Sequence, residues 1–199
     1  MRRATVRLPL LIVAATLADG DGVGSTTSGA TRHRGEWAPV CTASRRRVDV
    51  LLVCSSGGHL LQMLALRDAW VATDRLWVTF DKGDARSLLR GERVVRAYGP
   101  TNRDIGNLMR NIGLALRLAI RRRPRVVITT GAGVAVPFAW VGRLTGARVV
   151  YVESFTRIED VSLSCRLIAP VANAVYVQWP GAARGVRGAR FLGNVFFDS

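Results

Sequence analysis

The feature that most constrains the fold begins at Val48, where short apolar runs start to alternate with segments of helical periodicity. The first run, residues 48–54, is rich in Val and Leu, as a strand buried on both faces should be. Similar runs predict strands at residues 75–80, 94–97, 125–130, 148–152 and 174–177. Strands that alternate with helices pair in parallel and are covered by those helices. We therefore predict an α/β fold, a Rossmann-like parallel sheet with helices on both faces.

The segments between these runs carry apolar residues at the spacing of amphipathic helices. Helices are predicted over residues 60–71, 105–122, 134–144 and 163–171, the last interrupted or ended by Pro170. Ligands of such sheets bind outside the carboxyl ends of the strands. We expect a cleft at that edge, because conspicuous polar and glycine residues follow the strands directly, at residues 55–59, 131–133, 153–154 and 178–179.

Ser55, Ser56, Gly57, Gly58 and His59 form a polar turn between the first strand and the first helix. Its glycines let the backbone approach a ligand, and the helix N-terminus that follows offers free N–H groups to an anion such as a diphosphate. The alternative is a tight turn capped by serine. His59 could donate to a phosphate or act as a general base, although a lone histidine is more often structural.

Two later turns could line the same cleft. Gly131 and Gly133 belong to a second glycine turn before a helix, which could cradle a phosphate or a sugar. Glu153 follows the strand at 148–152, where its carboxylate could hydrogen-bond a sugar hydroxyl or accept a proton. It could equally cap the next segment or pair with Arg157.

The chain is strongly basic, with a formal net charge of +15 and 29 basic residues, of which only Lys82 is a lysine. Such a chain is drawn to polyanions: nucleic acid, anionic lipid head groups or phosphorylated substrates. An aromatic content of 7% argues against a stacking platform for single-stranded nucleic acid. The remaining alternative to a polyanion site is a solvated basic surface.

Basic residues concentrate around the helix predicted over 105–122. Residues 103–125 contain seven arginines and one acidic residue, Asp104, with apolar residues between them. A basic amphipathic helix of this type lies on anionic membranes. It could instead be a core helix with a solvated basic face, and arginines at its end suit the helix dipole. The candidate membrane contacts are Arg110, Arg117, Arg121, Arg122 and Arg123.

Residues 1–47 differ in composition from the rest and are predicted to be a disordered or signal-like extension, with residues 48–199 forming a single domain. Three arginines precede an apolar stretch at residues 8–18. That stretch is shorter than the roughly 20 residues of a membrane span and has the form of a signal-peptide core. Three interpretations stay open: a weak membrane-surface anchor, a secretion signal, or an extension from a wrongly assigned start codon.

The three cysteines, Cys41, Cys54 and Cys165, form no metal-ligand pattern and are odd in number. This argues against a metal site and against a disulfide framework. Cys54 lies within a predicted core strand, where we expect a small, buried apolar residue.

Several motifs, in order along residues 48–197, resemble one family: the membrane-anchor subunit of the two-chain UDP-GlcNAc transferase of asparagine-linked glycosylation, with its bacterial capsule and exopolysaccharide relatives. The turn at 55–59 is also similar to that of the peptidoglycan transferase MurG. The motifs are CSSGGHL at 54–60, TGAG at 130–133 followed by Val136-Pro137, YVESF at 151–155 with Arg157, LSC at 163–165 and VQWP at 177–180.

The resemblance implies half of a GT-B glycosyltransferase, the acceptor domain, with a UDP-sugar bound by a separate partner chain. The expected reaction is an inverting, metal-independent and cofactor-free sugar transfer to a polyprenyl-diphosphate-linked sugar, with the protein peripheral on the cytoplasmic face of the membrane. In this frame the residues at 55–59 contact the acceptor diphosphate or reacting region, and His59 is the candidate base. Gly131, Gly133, Glu153 and Ser154 line the cleft, and Gln178 and Trp179 form its far wall or the partner interface.

Two other functions stay open from the sequence. The chain could be a non-catalytic membrane scaffold that recruits the catalytic partner. It could also bind nucleic acid, but that idea rests on charge alone, because no recognition helix or aromatic motif accompanies it.

Overall fold

The computed structural model describes residues 47–101 and 104–196. The predicted N-terminal extension, with its apolar stretch and Cys41, lies outside the described residues. Seven strands form one sheet in the order β3-β2-β1-β4-β5-β6-β7, and every neighbouring pair is parallel. The strands are β1 Val50–Val53, β2 Arg75–Thr79, β3 Val94–Arg96, β4 Val126–Thr129, β5 Arg148–Val152, β6 Ala174–Val177 and β7 Ala189–Phe191.

Helices cover both faces of this sheet, as the sequence predicts. They are α1 Gly58–Ala65, α2 Gly83–Leu88, α3 Ile105–Arg122, α4 Ala135–Leu144 and α5 Leu163–Ile168, with short 3-10 helices at Arg67–Ala69 and Gly181–Gly185. One core cluster joins α3, α4 and α5 to one face, and the other joins α1 and α2 to the opposite face. Because both faces are covered, β1 and β4 are buried along their whole length.

The longest helix, α3, begins and ends with recognisable local signals. Asp104 Oδ1 accepts a hydrogen bond from Asn107 N at 2.9 Å, the geometry of an N-cap. The helix ends where Arg123 adopts the left-handed conformation, with φ 44°. Arg122 is only 1% exposed, because it follows Leu118 by one helical turn on the core face. The prediction that Arg122 contacts a membrane is therefore wrong.

Four elements differ from the sequence prediction. The helix predicted over 60–71 ends at Ala65 and continues as a 3-10 turn, and the one predicted over 163–171 ends at Ile168. Helix α2 and strand β7 were not predicted at all. Both are short and mostly exposed, so they carry little of the apolar periodicity on which such predictions depend.

The strand order reverses between β1 and β4, which are neighbours in the sheet. Helix α1, which follows β1, packs on one face of the sheet, and α4, which follows β4, packs on the other face. A crevice opens where two such connections diverge, at the carboxyl ends of the strands. This topological switch point lies between the turn at residues 55–59 and the turn at residues 130–133.

Candidate functional site

Two hydrogen bonds join the sides of the switch-point crevice. His59 Nδ1 lies 2.7 Å from the carbonyl oxygen of Thr130, and Thr130 Oγ1 donates to the carbonyl oxygen of His59 at 2.8 Å. The two predicted glycine turns therefore meet, as expected from their position at the carboxyl edge.

These bonds define the protonation of the His59 ring. A carbonyl oxygen only accepts hydrogen bonds, so Nδ1 carries the proton in the neutral ring. Nε2 is then the unprotonated nitrogen, with a lone pair available to accept a proton. The side chain is half-buried, which keeps the ring in reach of a ligand in the crevice.

Gly131 is packed closely against the groups around it. Its φ is 100°, and a Cβ there would lie 2.7 Å from the Tyr151 hydroxyl and 3.5 Å from both His59 Cε1 and Ser164 Oγ. The next residue, Ala132, also has a positive φ of 71°. Backbone strain of this kind is concentrated at ligand sites. Only glycine fits at residue 131, since any side chain would collide with the polar groups behind it.

Glu153 is fully buried and its carboxylate is fully engaged. Oε1 accepts from Ser154 N at 2.7 Å and from the Tyr151 hydroxyl at 3.3 Å. Oε2 accepts from Ser162 N at 2.7 Å and from Ser162 Oγ at 3.1 Å. Of the alternatives left open by the sequence, the geometry matches a carboxylate that caps the next segment. Arg157 is not among these partners.

A hydroxyl network surrounds this carboxylate. Tyr151 Oη lies 3.0 Å from Ser162 Oγ and 3.4 Å from Ser164 Oγ, and Ser162 also caps α5 by accepting from Cys165 N at 3.1 Å. Burial, followed by the negative charge of Glu153, raises the pKa of the Tyr151 hydroxyl well above its usual value. Tyr151 is therefore a neutral donor, and its hydroxyl is the member of this network nearest the Gly131 turn, followed by Ser164 Oγ.

Asp84, at the start of α2, is a site residue that the sequence analysis missed. Its Oδ2 accepts from Gly57 N at 2.6 Å, so a carboxylate already occupies the start of the α1 N-terminus. Gly57 has φ 77°, while Gly57 and Gly58 are both exposed. Ser55 donates to the carbonyl of Ser56 at 3.3 Å and both are half-buried. A phosphate at Gly57 would have to displace Asp84.

Gln62 on α1 was also missed. It is 2% exposed, and its side chain holds the segment after β5 at two points. Nε2 donates to the carbonyl of Glu153 at 2.6 Å, and Oε1 accepts from Phe155 N at 3.1 Å. A glutamine on the buried face of an otherwise apolar helix is the sequence signal that could have revealed it. Ser154, between these contacts, lies 3.0 Å by its hydroxyl from Thr156 Oγ1.

The two residues predicted as a far wall behave differently. Gln178 is buried, and its Oε1 accepts from Val195 N at 2.9 Å, so it holds the C-terminal segment in place. Trp179 is half-buried and donates from Nε1 to the carbonyl of Phe155 at 2.7 Å. Its ring packs on Phe155, which also contacts Phe196. Phe155, Trp179 and Phe196 therefore form an aromatic cluster at this edge, beside the crevice.

Two asparagines on the core face of α3 position the loop beside the second glycine turn. Asn111 exchanges two hydrogen bonds with the backbone of Tyr98, at 2.9 and 2.8 Å, and Asn107 Nδ2 donates to the carbonyl of Pro100 at 2.9 Å. Thr101 lies in this loop, and its Oγ1 would lie 3.1 Å from a Cβ on Gly133. The loop thus closes over the Gly131–Gly133 turn.

The outer face of α3 carries an apolar stripe. Ile105, Met109, Leu116 and Ile120 are 76%, 61%, 45% and 68% exposed, and at about 100° per residue they fall within an arc of about 60°. Arg110, Arg117 and Arg121 lie along one side of this stripe and are exposed, as is Arg123. Exposed apolar residues continue onto α4 and α5, at Trp140, Leu144, Leu163 and Leu167.

Across residues 47–101 and 104–196, no helix combines the length and apolar character needed to cross a membrane. Within the same ranges, no group of three or more His, Cys, Asp or Glu side chains is placed to hold a metal ion. Cys54 and Cys165 are buried free thiols, and burial raises the pKa of Cys54 to about 12. The expectation of a small buried residue at position 54 is confirmed.

Two solved structures share this fold. MurG from Acinetobacter baumannii matches with a TM-score of 0.58 at 16% identity, over 72% of this chain and 45% of that chain. The UDP-N-acetylglucosamine 2-epimerase from Rickettsia bellii matches with a TM-score of 0.60 at 11% identity, over 75% and 46%. Both have GT-B folds, so the present chain, which spans about half of either, has the fold of one GT-B half.

The family follows from sequence. A family model described as "Oligosaccharide biosynthesis protein Alg14 like" matches residues 104–195. The UDP-N-acetylglucosamine transferase subunit ALG14 of Eremothecium gossypii is 34% identical, in a comparison that covers 72% of this chain and 78% of that protein. The subunits of the same name from Mus musculus and Homo sapiens are each 24% identical, over 76% of this chain and 84% of their own length. The chain belongs to the Alg14 family, and the resemblance seen in its motifs is confirmed.

Proposed function

We propose that this chain is the acceptor-side subunit of a two-chain glycosyltransferase of oligosaccharide or polysaccharide biosynthesis. It binds a polyprenyl-diphosphate-linked sugar while a partner chain holds the UDP-sugar. The observation that carries the proposal is its similarity, over most of both sequences, to proteins named as UDP-N-acetylglucosamine transferase subunits. Its match to about half of MurG agrees with the fold of one GT-B half, as an acceptor-side subunit would have.

The crevice gives His59 a role in this reaction. A hydroxyl oxygen of the acceptor sugar attacks the anomeric carbon of the donor as the bond to the nucleoside diphosphate breaks. The hydroxyl proton passes to His59 Nε2, which is free because Nδ1 donates to Thr130. Attack from the face opposite the leaving group inverts the anomeric centre. General base catalysis of this kind contributes about 10²- to 10⁴-fold.

The acceptor diphosphate needs donors that are not already engaged. Asp84 holds the Gly57 N–H, and a phosphate beside it would meet like charge. We therefore place the diphosphate across the crevice, at the part of the second glycine turn that runs from residue 132 into α4, because Gly131 N already donates to Thr129 Oγ1 at 3.0 Å. Glu153 contributes by holding Ser154 and Ser162 in place, and is a positioning residue in this scheme.

The outer face of α3 supplies the proposed membrane contact. Its apolar stripe has no partner among the described residues, and arginines flank it on one side. A helix with an exposed apolar face and flanking cations binds at an anionic membrane surface. We place the protein peripherally at the cytoplasmic face, where a lipid-linked acceptor and a nucleotide sugar meet.

Reconstitution tests the proposal. The full chain, its candidate partner and their mixture are each assayed with UDP-N-acetylglucosamine and a polyprenyl-diphosphate-linked N-acetylglucosamine. We expect transfer only from the mixture, and none when this chain is heat-denatured before mixing. Transfer by this chain alone at the rate of the mixture would contradict the two-chain assignment.

A non-catalytic scaffold is the second candidate, and one observation favours it. Both carboxylates near the crevice, Asp84 and Glu153, are used in internal hydrogen bonds. A scaffold would assemble with the partner and would tolerate loss of the His59 ring without loss of activity. A catalytic subunit would assemble equally well and lose activity.

A further inference from the structure

A hydroxyl without a protein partner lies beside the second glycine turn. Thr101 Oγ1 is 3.1 Å from the position that a Cβ on Gly133 would take, and it makes no hydrogen bond to any described residue. Two neighbouring hydroxyls are engaged, since Thr129 Oγ1 accepts from Gly131 N and Thr130 Oγ1 donates to the carbonyl of His59. Thr101 is half-buried, so its hydroxyl is held next to the crevice and remains available to a ligand.

The backbone of the same turn also has donors without acceptors. The N–H groups of Ala132 and Gly133 make no hydrogen bond within the part of the chain that the structure describes. Gly131 and Ala132 both have positive φ, and left-handed residues of this kind occur in turns that bind anions through successive N–H groups. Thr101 Oγ1 is less than about 6 Å from Gly133 N, and a phosphate group that accepts from each donor at about 2.9 Å spans that gap.

We propose that Thr101 is an acceptor-binding residue, whose hydroxyl donates to the diphosphate of the polyprenyl-linked sugar beside the free N–H groups of residues 132 and 133. Asn107 and Asn111 are positioning residues that hold Thr101 there. The inference rests on the proposed function, which places the diphosphate at this turn. It adds a contact from outside the two glycine turns and gives the bound acceptor a direction.

The positioning residues act through the backbone of residues 98–101. Tyr98 N donates to Asn111 Oδ1 at 2.9 Å, and Asn111 Nδ2 donates to the Tyr98 carbonyl at 2.8 Å. Asn107 Nδ2 donates to the Pro100 carbonyl at 2.9 Å. Asn111 is 0% exposed and Asn107 is 8% exposed, and buried amides bonded on both sides of a short segment leave it one path. Helix α3 therefore fixes the position of the Thr101 hydroxyl.

The direction of the acceptor follows from what lies on either side of Thr101. The first turns of α3 carry Ile105 and Met109, which are 76% and 61% exposed on the proposed membrane face. At the other end of the glycine turn, His59 Cε1 is 3.5 Å from the position of a Cβ on Gly131. A diphosphate at Thr101 thus has its lipid end towards the start of α3 and its sugar towards His59.

Steady-state kinetics of the two-chain complex test the contact. Polyprenyl-diphosphate-linked N-acetylglucosamine is varied at saturating UDP-N-acetylglucosamine, and the reverse series is also measured. Thr101→Val replaces the hydroxyl with a methyl group of similar size, and Thr101→Ser keeps the hydroxyl. The matched control, Tyr98→Phe, removes a different hydroxyl from the same loop.

We expect Thr101→Val to raise the KM for the lipid-linked acceptor at least about tenfold, because a hydrogen bond to a charged group is lost. The kcat and the KM for UDP-N-acetylglucosamine should stay within about twofold, since the contact is made before and during the transfer. Thr101→Ser and Tyr98→Phe should stay within about threefold of the unmodified chain. An unchanged acceptor KM in Thr101→Val, or an equal rise in Tyr98→Phe, would overturn the inference.

A second variant tests the positioning role. Asn107→Ala releases the Pro100 carbonyl and should raise the acceptor KM about fivefold in the unmodified chain, but should add less than about twofold to Thr101→Val. A purely structural role of Asn107 would give the same factor in both backgrounds and would remove this part of the inference. Absence of transfer by the unmodified complex would contradict the proposed function itself, whereas normal kinetics of Thr101→Val in an active complex would contradict only the inference about Thr101.

Discussion

Polar side chains are hydrogen-bonded to the protein at one edge of the sheet and exposed to solvent at the other. At the carboxyl edge, Glu153, Tyr151 and His59 bond to neighbouring protein groups. At the amino edge beside α3, Arg47, Arg123 and Arg125 are exposed. A buried, satisfied network holds its members in one geometry, whereas exposed long side chains stay adaptable.

This difference separates two kinds of recognition. The carboxyl edge is preorganised, because Glu153 and Gln62 hold the segment after β5 before any ligand arrives. The amino edge and the outer face of α3 offer charge and apolar area, which suit anions and membrane surfaces. Substitutions at the first edge should alter stability or chemistry, and substitutions at the second should alter only association.

The largest effect expected at the preorganised edge is on folding. Glu153→Gln turns one acceptor oxygen into a donor, which then faces the N–H of either Ser154 or Ser162. Charge-assisted and buried hydrogen bonds are lost together, so we expect the free energy of unfolding to fall by about 3 kcal/mol. Urea denaturation measures this, with the exposed Glu159→Gln as a control expected to change by less than about 0.5 kcal/mol. Similar values for both variants would show that the network is not preorganised.

His59 tests chemistry at the same edge. His59→Asn keeps a donor near the Nδ1 position for the Thr130 carbonyl but removes Nε2, so we expect the kcat of the two-chain complex to fall about 100-fold. His59→Ala also loses the bond to Thr130 and should be less stable by about 1 kcal/mol. Both variants should assemble with the partner. An Asn variant with full activity would favour the scaffold.

The outer face of α3 tests association without chemistry. The pair Ile105→Ser and Met109→Ser removes exposed apolar area, so we expect flotation with anionic vesicles to weaken about tenfold. Leu61→Ser is the control, because Leu61 is 50% exposed on α1, on the other side of the sheet. Equal effects of the two substitutions would show that α3 is not the membrane-facing helix.

The smallest expected effect separates two buried tyrosines. Tyr151→Phe removes a hydroxyl bonded to the serines and Glu153, and should cost about 1 kcal/mol of stability. Tyr176 is equally buried, but its hydroxyl has no hydrogen-bond partner among the described residues, so Tyr176→Phe should be close to neutral. Thermal unfolding of the two variants compares them directly. Equal losses would mean that the hydrogen bonds of the Tyr151 hydroxyl contribute nothing measurable to stability.

Much of the fold could be predicted because its signals are local. The bounds of α3 and β5 match the prediction at both ends. A helical periodicity that is kept over 18 residues and a run of buried β-branched residues are both strong patterns. Strand β7, with three residues and little burial, has no such pattern and depends on pairing with β6 for its conformation.

The site was predicted less completely. Its location at the switch point followed from the glycine turns, but the roles of single residues did not. Glu153 is a buried acceptor, Gln178 holds the C-terminal segment, and Arg122 faces the core. Asp84 reaches Gly57 across 27 positions in the sequence, a separation that no local pattern can bridge.

The amino-acid sequence by itself determined the parallel α/β sheet, the edge at which the glycine turns meet, the family and the basic character of α3. These depend on periodicity and composition, which are properties of neighbouring residues. The tertiary structure alone decided which nitrogen of His59 is free, which carboxylates are already engaged and which arginines face water. Those outcomes depend on distances between segments far apart in the chain, and only the packed sheet brings such segments together.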